Sequence, residues 1–529
     1  MRKLVVGLLA SVLFAAFVPQ GHGDTAKLAL VRVKFDSEEQ ARFLMTRFDE
    51  THNHGQGEIE LLLWPGDRVT LDSLGYSYEV VTEDIVARDR ALFEEAGPMI
   101  ELPGPDRDSY RRTEDYNAEM EALAKENPGV VRLFEMPRQT LEGRPVYGLE
   151  IAADVSKKDG RPIFYMDGVH HAREWPASEY TMIYAHHLVD NFGKDKKITK
   201  LLRRARAIIV PLVNVDGFDY SRESVLSAEE NIAERTEPTG YVNGFEGYWR
   251  KNRRSLTGVT VPAAQTNPDA YGVDPNRNYA YLWGDNQGGS SGNMFEATYR
   301  GSEPFSEPEV ANVRDIILNR GVTGVITNHT YQATVLRAGG GHAPDERLLK
   351  PIGAKMAKIL GYQNNGSVGY PTTGTTDDWA YASVGSLGFT IENGSQGFHP
   401  IYEKEVGAFW KEHMKAFDVM LDVSADPRYH SVITGKVAGG KAKLMLTKTF
   451  ETRLSGGNPT GEDSITEKLK IEMDTDPDGS FEWHVGPSSR PWEKGRESYT
   501  LTIKAGGKTK TIKVTVDRGR VLRLGTISL

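Results

Sequence analysis

The sequence predicts an α/β protein whose centre is a mixed, mostly parallel sheet flanked by helices, with a small N-terminal α/β region and a C-terminal β-sandwich. Short apolar runs typical of buried strands alternate with helical patterns through the middle of the chain. Polar motifs follow the carboxyl ends of these runs, which is where open α/β sheets bind their ligands. After residues 425–427 the pattern changes to short alternating runs separated by turns, which favours a sandwich.

The first folded region is expected at residues 24–100. Residues 29–35 alternate between apolar and polar side chains as a strand does. Ser37 fits the N-cap of a helix over residues 37–49, which has acids in its first turn. Further strands are predicted at 59–64 and 78–81, and a charged helix at 84–95.

The central domain is expected at residues 108–424. A helix over residues 113–127 ends before Pro128, because proline does not continue a helix. An amphipathic helix over residues 409–423 closes the domain. The buried strands are predicted at 161–166, 207–213, 324–327 and 388–391.

The last domain, residues 428–529, is expected to be the β-sandwich. Acids in residues 474–479 have the spacing of a calcium loop, but Val485 stands where the closing acid is expected, so a plain β-turn is favoured. The strands are predicted at 443–447, 468–472, 481–485, 499–505 and 510–516.

Composition excludes several classes of function. The chain carries a net charge of −9 without a basic stripe, so nucleic acid is not an expected partner. It has 0 cysteines, which excludes disulfides, zinc thiolates and cysteine nucleophiles, so any metal ion must be bound by histidine, aspartate or glutamate. The contents of 39% hydrophobic and 26% charged residues are those of a soluble globular protein. The protein is also expected to be a monomer.

Residues 1–23 are predicted to form a secretory signal peptide. Arg2 and Lys3 provide its basic head, an apolar run spans residues 4–17, and residues 21–23 suit cleavage. The apolar run is shorter than the roughly 18 residues of a membrane-spanning helix, so no stable membrane anchor is expected. The protein is therefore predicted to be secreted or periplasmic.

The most informative pair of side chains is His171 and Glu174, which have two residues between them. Together with His329, which follows a distant apolar run, they form a set of zinc-type ligands that leaves a fourth position for water, as catalytic zinc sites do. His170 is a competing ligand. The residue three positions after it is Arg173, however, so only His171 has a partner acid.

A series of motifs occurs in order between residues 108 and 424. They are residues 142–144, 168–175, 211–217, 248–253, 272–278, 328–331, 370–379 and 389–392. In this order they resemble the zinc metallocarboxypeptidase family of the carboxypeptidase A, B and T type, whose members remove C-terminal residues from peptides. The resemblance implies a carboxypeptidase-like fold, one zinc ion in the catalytic domain, and peptide or protein C-termini as partners.

The resemblance assigns roles to the residues near the metal. It implies zinc ligation by His171, Glu174 and His329. Asp274 is expected to accept a hydrogen bond from His171 and so to fix its tautomer. Glu392 is implied as the general base, which takes a proton from the zinc-bound water and delivers one to the leaving amine. A lone carboxylate after a buried strand would otherwise be costly.

Other matched residues are expected to bind the substrate. Arg277, with Asn276 beside it, would bind the terminal carboxylate, because a guanidinium forms two hydrogen bonds with a carboxylate. Arg250 would stabilise the developing oxyanion, and Tyr370 would close over the end of the substrate. The residues expected to line subsites beyond the terminal residue are Arg173, Thr330 and Tyr331.

Asp377 is expected at the floor of the pocket for the terminal side chain. In the resembled family an acid at this position selects lysine or arginine, whereas an apolar residue selects aromatic or aliphatic ends. A buried carboxylate that faces a cationic side chain gives a physical reason for this preference. The expected specificity is basic, or mixed basic and hydrophobic.

The N-terminal region resembles the activation segment of the family, which covers the active site until it is cleaved, so a zymogen is expected. A permanent N-terminal domain is the alternative. Two other functions also stay open at this point: a zinc amidase acting on cell-wall peptides or acyl-amino acids, and a binding module with an inactive centre.

Overall fold

A computed structural model of the 529-residue protein describes residues 27–55, 57–96, 107, 109–229, 246–255, 272–285, 289–366, 372–456 and 458–529. The predicted signal peptide and Tyr370 lie outside these residues. Among the helices that fall within these ranges, none combines the length and the apolar character needed to cross a membrane.

The N-terminal region folds as an antiparallel sheet with accompanying helices. Its elements are β1 (Ala29–Lys34), α1 (Glu38–Arg47), β2 (Asp49–Gly55), β3 (Glu58–Leu63), α2 (Asp67–Ser73), β4 (Tyr78–Thr82) and α3 (Ile85–Ala96). The strands lie in the order β2-β3-β1-β4. Ser37 caps α1 as predicted, since its hydroxyl accepts a hydrogen bond from the backbone N–H of Gln40 at 3.2 Å. Val31, Leu44 and Leu61 are buried in the small core between sheet and helix.

The central region contains an eight-stranded mixed sheet. Its strands are β5 (Val131–Glu135), β6 (Tyr147–Ile151), β7 (Ile163–Gly168), β8 (Arg206–Val210), β9 (Val322–His329), β10 (Thr334–Arg337), β11 (Gln363–Asn365) and β12 (Leu387–Glu392). They lie in the order β11-β10-β12-β9-β7-β8-β6-β5. The neighbours among β12, β9, β7 and β8 are parallel, whereas β6 joins the sheet antiparallel to β8. The inner strands are buried along their whole length, which explains why they read as continuous apolar runs.

Helices cover this sheet. Their bounds are α4 (Thr113–Glu126), α5 (Trp175–Asn191), α6 (Lys196–Arg204), α7 (Val215–Glu229), α8 (Pro308–Arg320), α9 (Glu346–Leu360), α10 (Thr376–Val384) and α11 (Val406–Ala425). Helices α5, α6 and α11 contact one another and the sheet, and α8 and α10 form a separate contacting pair. The predicted α/β arrangement, with a mixed sheet between helices, is therefore confirmed.

The register of the parallel strands brings the sequence motifs to one edge of the sheet. Glu392, the last residue of β12, is paired with His329, the last residue of β9. On the other side of β9, Asn328 is paired with Gly168 at the end of β7. The chain turns after Gly168 directly into the segment that carries His171.

The C-terminal region forms two further sheets. Their strands are β13 (Ser431–Val437), β14 (Lys443–Arg453), β15 (Ser464–Asp474), β16 (Ser480–Val485), β17 (Tyr499–Ala505), β18 (Lys508–Val514) and β19 (Val521–Ile527). One sheet has the order β16-β13-β19 and the other β15-β14-β17-β18. Burial alternates along β14 and β15, as expected for strands with one face on a core. Between β15 and β16 the chain makes a turn, in which Gly479 N–H donates to Asp476 O at 2.9 Å.

Candidate metal centre and substrate cavity

The three proposed zinc ligands come from two neighbouring strand ends. His171 lies in the turn after β7, Glu174 is the residue before α5, and His329 ends β9. Because β7 and β9 are parallel neighbours, their carboxyl ends present these side chains at the same place. All three residues are at most 1% exposed.

The donor atoms of these residues converge. His171 Nδ1 lies 2.7 Å from Glu174 Oε1, His329 Nδ1 lies 2.9 Å from Glu174 Oε2, and the two Nδ1 atoms are 3.2 Å apart. Two imidazole nitrogens and a carboxylate oxygen form a donor set of the kind that catalytic zinc sites use. Within the described ranges, no other group of three or more histidine, aspartate or glutamate side chains brings its ligand atoms within 4.8 Å of one another. The residues present therefore fit a zinc ion.

A second layer of contacts orients His171. Its Nε2 atom lies 3.1 Å from Asp274 Oδ1, as expected from the sequence. The other carboxylate oxygen of Asp274 accepts hydrogen bonds from Arg250 Nη2 at 3.0 Å and from Arg250 Nε at 3.1 Å. Burial, followed by the charge of Arg250, lowers the pKa of His171, so the ring is neutral as a metal ligand must be.

His170 does not join this group. Its Nε2 atom lies 2.8 Å from the Tyr279 hydroxyl and 3.0 Å from Thr376 Oγ1, and its Nδ1 atom lies 3.3 Å from Thr327 Oγ1. Both ring nitrogens therefore have hydroxyl neighbours that hold the ring in place. These contacts favour the structural role for His170 and leave His171 as the proposed ligand.

Several of the proposed site residues line one cavity of about 310 Å³. They are His171, Asn276, Arg277, Asp377 and Glu392. Glu392 is 3% exposed at the end of β12, and Asp377 lies in the first turn of α10. The cavity therefore joins a proposed metal ligand to the proposed base, the carboxylate-binding pair and the pocket acid.

A tight turn presents the proposed carboxylate-binding pair. Asp274 Oδ1 accepts a hydrogen bond from the Asn276 backbone N–H at 2.9 Å and so caps this turn. Asn276 Oδ1 in turn accepts from the Thr376 backbone N–H at 3.0 Å, which ties the turn to α10. Arg277 donates from Nη1 to the Asn276 carbonyl at 2.8 Å, while its buried Nε has no hydrogen-bond partner among the described residues.

Two other proposed substrate residues are covered by the N-terminal region. Arg173 donates from Nη1 and Nη2 to the two carboxylate oxygens of Asp49, at 2.6 and 2.7 Å. The Tyr331 hydroxyl donates to Glu60 Oε1 at 2.6 Å. Both acids belong to the N-terminal sheet, on β2 and β3. These contacts could not be predicted from the motifs, because they join segments far apart in the chain.

The cavity also has lining residues that sequence reasoning missed. They are Tyr281, Leu282, Leu336, Arg337, Gly339, Gly340, Gly366, Thr372, Thr375, Asp378, Thr390 and Trp492. Asp378 could have been proposed from the sequence, since it is a second acid directly after Asp377. Trp492 could not, because it comes from the C-terminal region and reaches the cavity only through the tertiary fold.

The two adjacent acids are both difficult to ionise. Burial raises the pKa of Asp377. Burial, with a contribution from Asp377, raises the pKa of Asp378 to about 7. Of the arginines in the lining, Arg277 and Arg337, the second is already bound by Glu346, whose Oε1 accepts from Arg337 Nη2 at 2.6 Å. Together with Glu392, the acidic pair makes up the carboxylates of this lining, and the pair is the part not already assigned to catalysis.

The α/β sheet and the buried His-Glu-His set at its edge are those of a zinc-dependent hydrolase. More narrowly, the chain belongs to the zinc carboxypeptidase family, whose sequence model matches residues 116–416. It is therefore a metallocarboxypeptidase. Members of this family are peptidases that use zinc and remove the last amino acid from the C-termini of peptides.

Individual relatives agree with this assignment. The chain is 25% identical to human carboxypeptidase B over 349 residues, which cover 63% of this chain and 75% of that protein. It is 28% identical to mouse carboxypeptidase A4 over 348 residues, covering 62% and 74%. The crystal structure of carboxypeptidase A from Helicoverpa armigera superposes with a TM-score of 0.61 at 22% identity, covering 76% of this chain and 98% of that one. This last likeness supports the fold.

Proposed function

We propose that the chain is the zymogen of a zinc carboxypeptidase that, once its N-terminal region is removed, releases terminal amino acids with a preference for arginine and lysine. The observation that carries this proposal is the cavity shared by His171, Glu392, Arg277 and Asp377. It combines a metal ligand, a base, a cation for the terminal carboxylate and an acid for a basic side chain. A secreted or periplasmic location stays a prediction from residues 1–23.

The metal centre and Glu392 would perform the hydrolysis. When bound by His171, Glu174 and His329, zinc would supply the Lewis acid that activates water and polarises the scissile carbonyl. Glu392 takes a proton from the attacking water on its carboxylate and then gives it to the nitrogen of the leaving amino acid.

Arginines would bind the terminal carboxylate of the peptide and stabilise the negative charge that develops on the attacked carbonyl. Arg277 is 3% exposed and lines the cavity, and its Nε lacks a hydrogen-bond partner among the described residues, so a terminal carboxylate would complete its hydrogen bonding. Asn276 adds an amide beside it. Arg250, oriented by its two hydrogen bonds to Asp274, stabilises the oxyanion that forms on the attacked carbonyl.

The basic preference rests on the acidic pair, and it should depend on pH. We expect the ratio of kcat/KM for arginine-ended over leucine-ended blocked dipeptides to rise as pH increases through about 7, because Asp378 loses its proton there. Below this pH the carboxyl is neutral and attracts a cation less. Asp377→Asn should lower the same ratio by about tenfold at a pH high enough to ionise Asp377, and by less at lower pH, because burial raises the pKa of this carboxyl and only its charged form makes a charge-assisted hydrogen bond.

Both substrates depend on the same metal centre and on Glu392. Effects of pH on these groups therefore cancel in the ratio of the two kcat/KM values. Other charged groups in the same cavity include Arg277, Glu392 and Arg337, which is held by Glu346, and His329 acts electrostatically on Asp377. Asp422→Asn, at an exposed position of α11, is the matched control and should leave the ratio unchanged. Equal or faster release of leucine by the wild-type enzyme across this pH range would contradict the basic preference.

Latency rests on the contact between Asp49 and Arg173. Both side chains are 0% exposed, and the pair forms two parallel hydrogen bonds. Arg173 Nη2 also donates to the Glu50 carbonyl at 3.2 Å, and Asp49 Oδ2 accepts from Trp64 Nε1 at 2.9 Å. An acid of β2 therefore neutralises an arginine that the substrate would otherwise meet.

Asp49→Ala should raise the activity of the intact chain by at least about tenfold, towards that of the proteolysed enzyme. Removing one partner leaves the buried Arg173 charge uncompensated, which costs about 3–5 kcal/mol and favours displacement of the N-terminal region. The measurement is dipeptide hydrolysis before and after limited proteolysis. Glu79→Ala, on β4 with a 75% exposed side chain, is the control and should stay latent.

Two results would redirect this proposal. An intact wild-type chain that is already fully active would favour a permanent N-terminal domain. Failure to release any terminal residue before or after proteolysis would favour a zinc amidase for cell-wall peptides or acyl-amino acids, or a binding module. Zinc content after dialysis separates these two, because only the amidase needs the ion.

A further inference from the structure

One residue of the C-terminal region reaches the cavity. Trp492 lies in the connection between β16 and β17, and it lines the same cavity as Asp377, Asp378 and Glu392. We propose that Trp492 forms a wall of the pocket for the terminal side chain, and that its indole, paired with Tyr281, provides an aromatic face for a guanidinium group. This inference rests on the proposed function and adds a specificity residue supplied by another domain.

Aromatic contacts fix the position of the indole. Its ring is stacked on Tyr281, with centroids 5.1 Å apart and planes at 13°. The Tyr381 ring meets it edge-on, at 5.1 Å and 87°. A Cβ atom added at Gly339 would lie 2.9 Å from Trp492 Cζ2, so the indole packs directly against the backbone of that glycine. Tyr281 and Tyr381 both belong to the central region, which makes Trp492 an insertion from one region into the other.

The indole is also close to the acidic pair. The Gly339 backbone N–H, on the residue that the indole touches, donates to Asp378 Oδ1 at 2.6 Å. Asp378 also acts electrostatically on the Tyr281 hydroxyl, whose pKa is raised mainly by burial and further by this carboxylate. The stacked aromatic pair and the carboxylate therefore meet around one glycine of the cavity wall.

The connection that carries Trp492 is anchored to both regions. Arg490 donates from Nη1 to the Ala382 carbonyl of α10 at 3.4 Å, and from Nη2 to the Glu451 carbonyl of β14 at 2.5 Å. Trp492 itself has a φ of 64°, in the left-handed region that bulky residues rarely adopt. Such a conformation persists only where the surroundings hold it. Even so, these contacts do not cover the residue completely, since it stays 37% exposed and lines the cavity.

These features select the chemistry of the bound side chain. A planar guanidinium stacks on aromatic faces while it forms hydrogen bonds with carboxylates, whereas the compact ammonium of lysine gains less from stacking. Of the two arginines in the lining, Arg277 is assigned to the terminal carboxylate, and Arg337 is held by Glu346, which reduces its repulsion of a basic side chain. The pocket should therefore take arginine in preference to lysine, and lose this distinction when the indole is removed.

The test compares Trp492→Ala and Trp492→Phe with the wild-type chain, each zinc-loaded and proteolysed in the same way. Blocked dipeptides ending in arginine, lysine and leucine are the substrates. For Trp492→Ala we expect KM for the arginine substrate to rise about fivefold to tenfold with kcat nearly unchanged, a smaller change for lysine, and the least for leucine. Trp492→Phe keeps an aromatic face and should recover most of the loss.

Phe409→Ala removes another exposed aromatic side chain, on α11 and 46% exposed, and serves as the control. Thermal unfolding of each variant reports any general loss of structure. If Trp492→Ala changes all three substrates by one factor, or changes none, the indole only joins the two regions and the inference is overturned.

Binding of free L-arginine, measured by calorimetry, gives a readout that needs no turnover. We expect the affinity of Trp492→Ala to be weaker by a similar factor, with the affinity of Phe409→Ala unchanged. If the protein hydrolyses none of the substrates but its binding of free L-arginine still depends on Trp492, the pocket is supported and the proposed function is rejected. If the protein hydrolyses the substrates and binds arginine equally well with and without Trp492, Trp492 does not form a wall of the pocket, and the proposed enzymatic function still stands.

Discussion

Glu392→Gln is expected to lower kcat for release of a terminal arginine by about 10³-fold, within the range that general acid–base catalysis contributes, while the zinc content stays the same. Glutamine has nearly the same shape as glutamate but cannot accept the proton of the attacking water. The side chain lies beside the metal centre, because β12 pairs Glu392 with His329 of β9. Measuring kcat together with metal content separates loss of the base from loss of the ion.

Glu403→Gln is the matched control for this change. It makes the same chemical replacement at an exposed position of the short turn Tyr402–Lys404, away from the residues that line the cavity. Its kcat should equal that of the wild-type enzyme. If Glu392→Gln kept more than about a tenth of the activity, the proton would have to be taken by another group, and the proposed mechanism would be wrong.

His329→Gln is expected to abolish stable zinc binding and to reduce activity by about 10³-fold or more, because a Lewis acid contributes several kcal/mol to stabilising the transition state. It removes one of the three converging donors, whose Nδ1 atom lies 3.2 Å from His171 Nδ1. The measurements are zinc per chain after dialysis and hydrolysis with added zinc.

His170→Gln provides a stringent comparison, since His170 is equally buried and adjacent to a proposed ligand. Its contacts with the hydroxyls of Tyr279, Thr327 and Thr376 predict a loss of stability with zinc retained. Should His170→Gln lose the ion and His329→Gln keep it, the ligand assignment would be incorrect.

Strands with strong local patterns could be predicted from the sequence. The apolar runs that became β7, β9 and β12 are buried along their whole length, so composition alone marked them. By contrast, β2 (Asp49–Gly55) is almost entirely polar and was not predicted. It is a strand because it pairs with β3, and this pairing is a tertiary property with no local signal.

In the candidate site, too, some features could be predicted from local sequence patterns and others depend on the tertiary fold. His171, Glu174, His329, Glu392 and Asp377 could be proposed because each stands in a recognisable motif. The burial of Arg173 against Asp49, and the arrival of Trp492 at the cavity, depend on how separate regions pack together. A motif shows which residues have the required chemistry, and the fold decides which of them a substrate can reach.

The register between β9 and β12 has a consequence for how this active centre tolerates change. Backbone pairing between the two strands holds the proposed base and the imidazole of a proposed metal ligand next to each other, so no flexible segment has to close to bring them together. Loops around the rim can therefore diverge in length and composition while the reacting groups keep their spacing. A shift of one residue between these strands, however, would turn Glu392 to the opposite face of the sheet and separate the two.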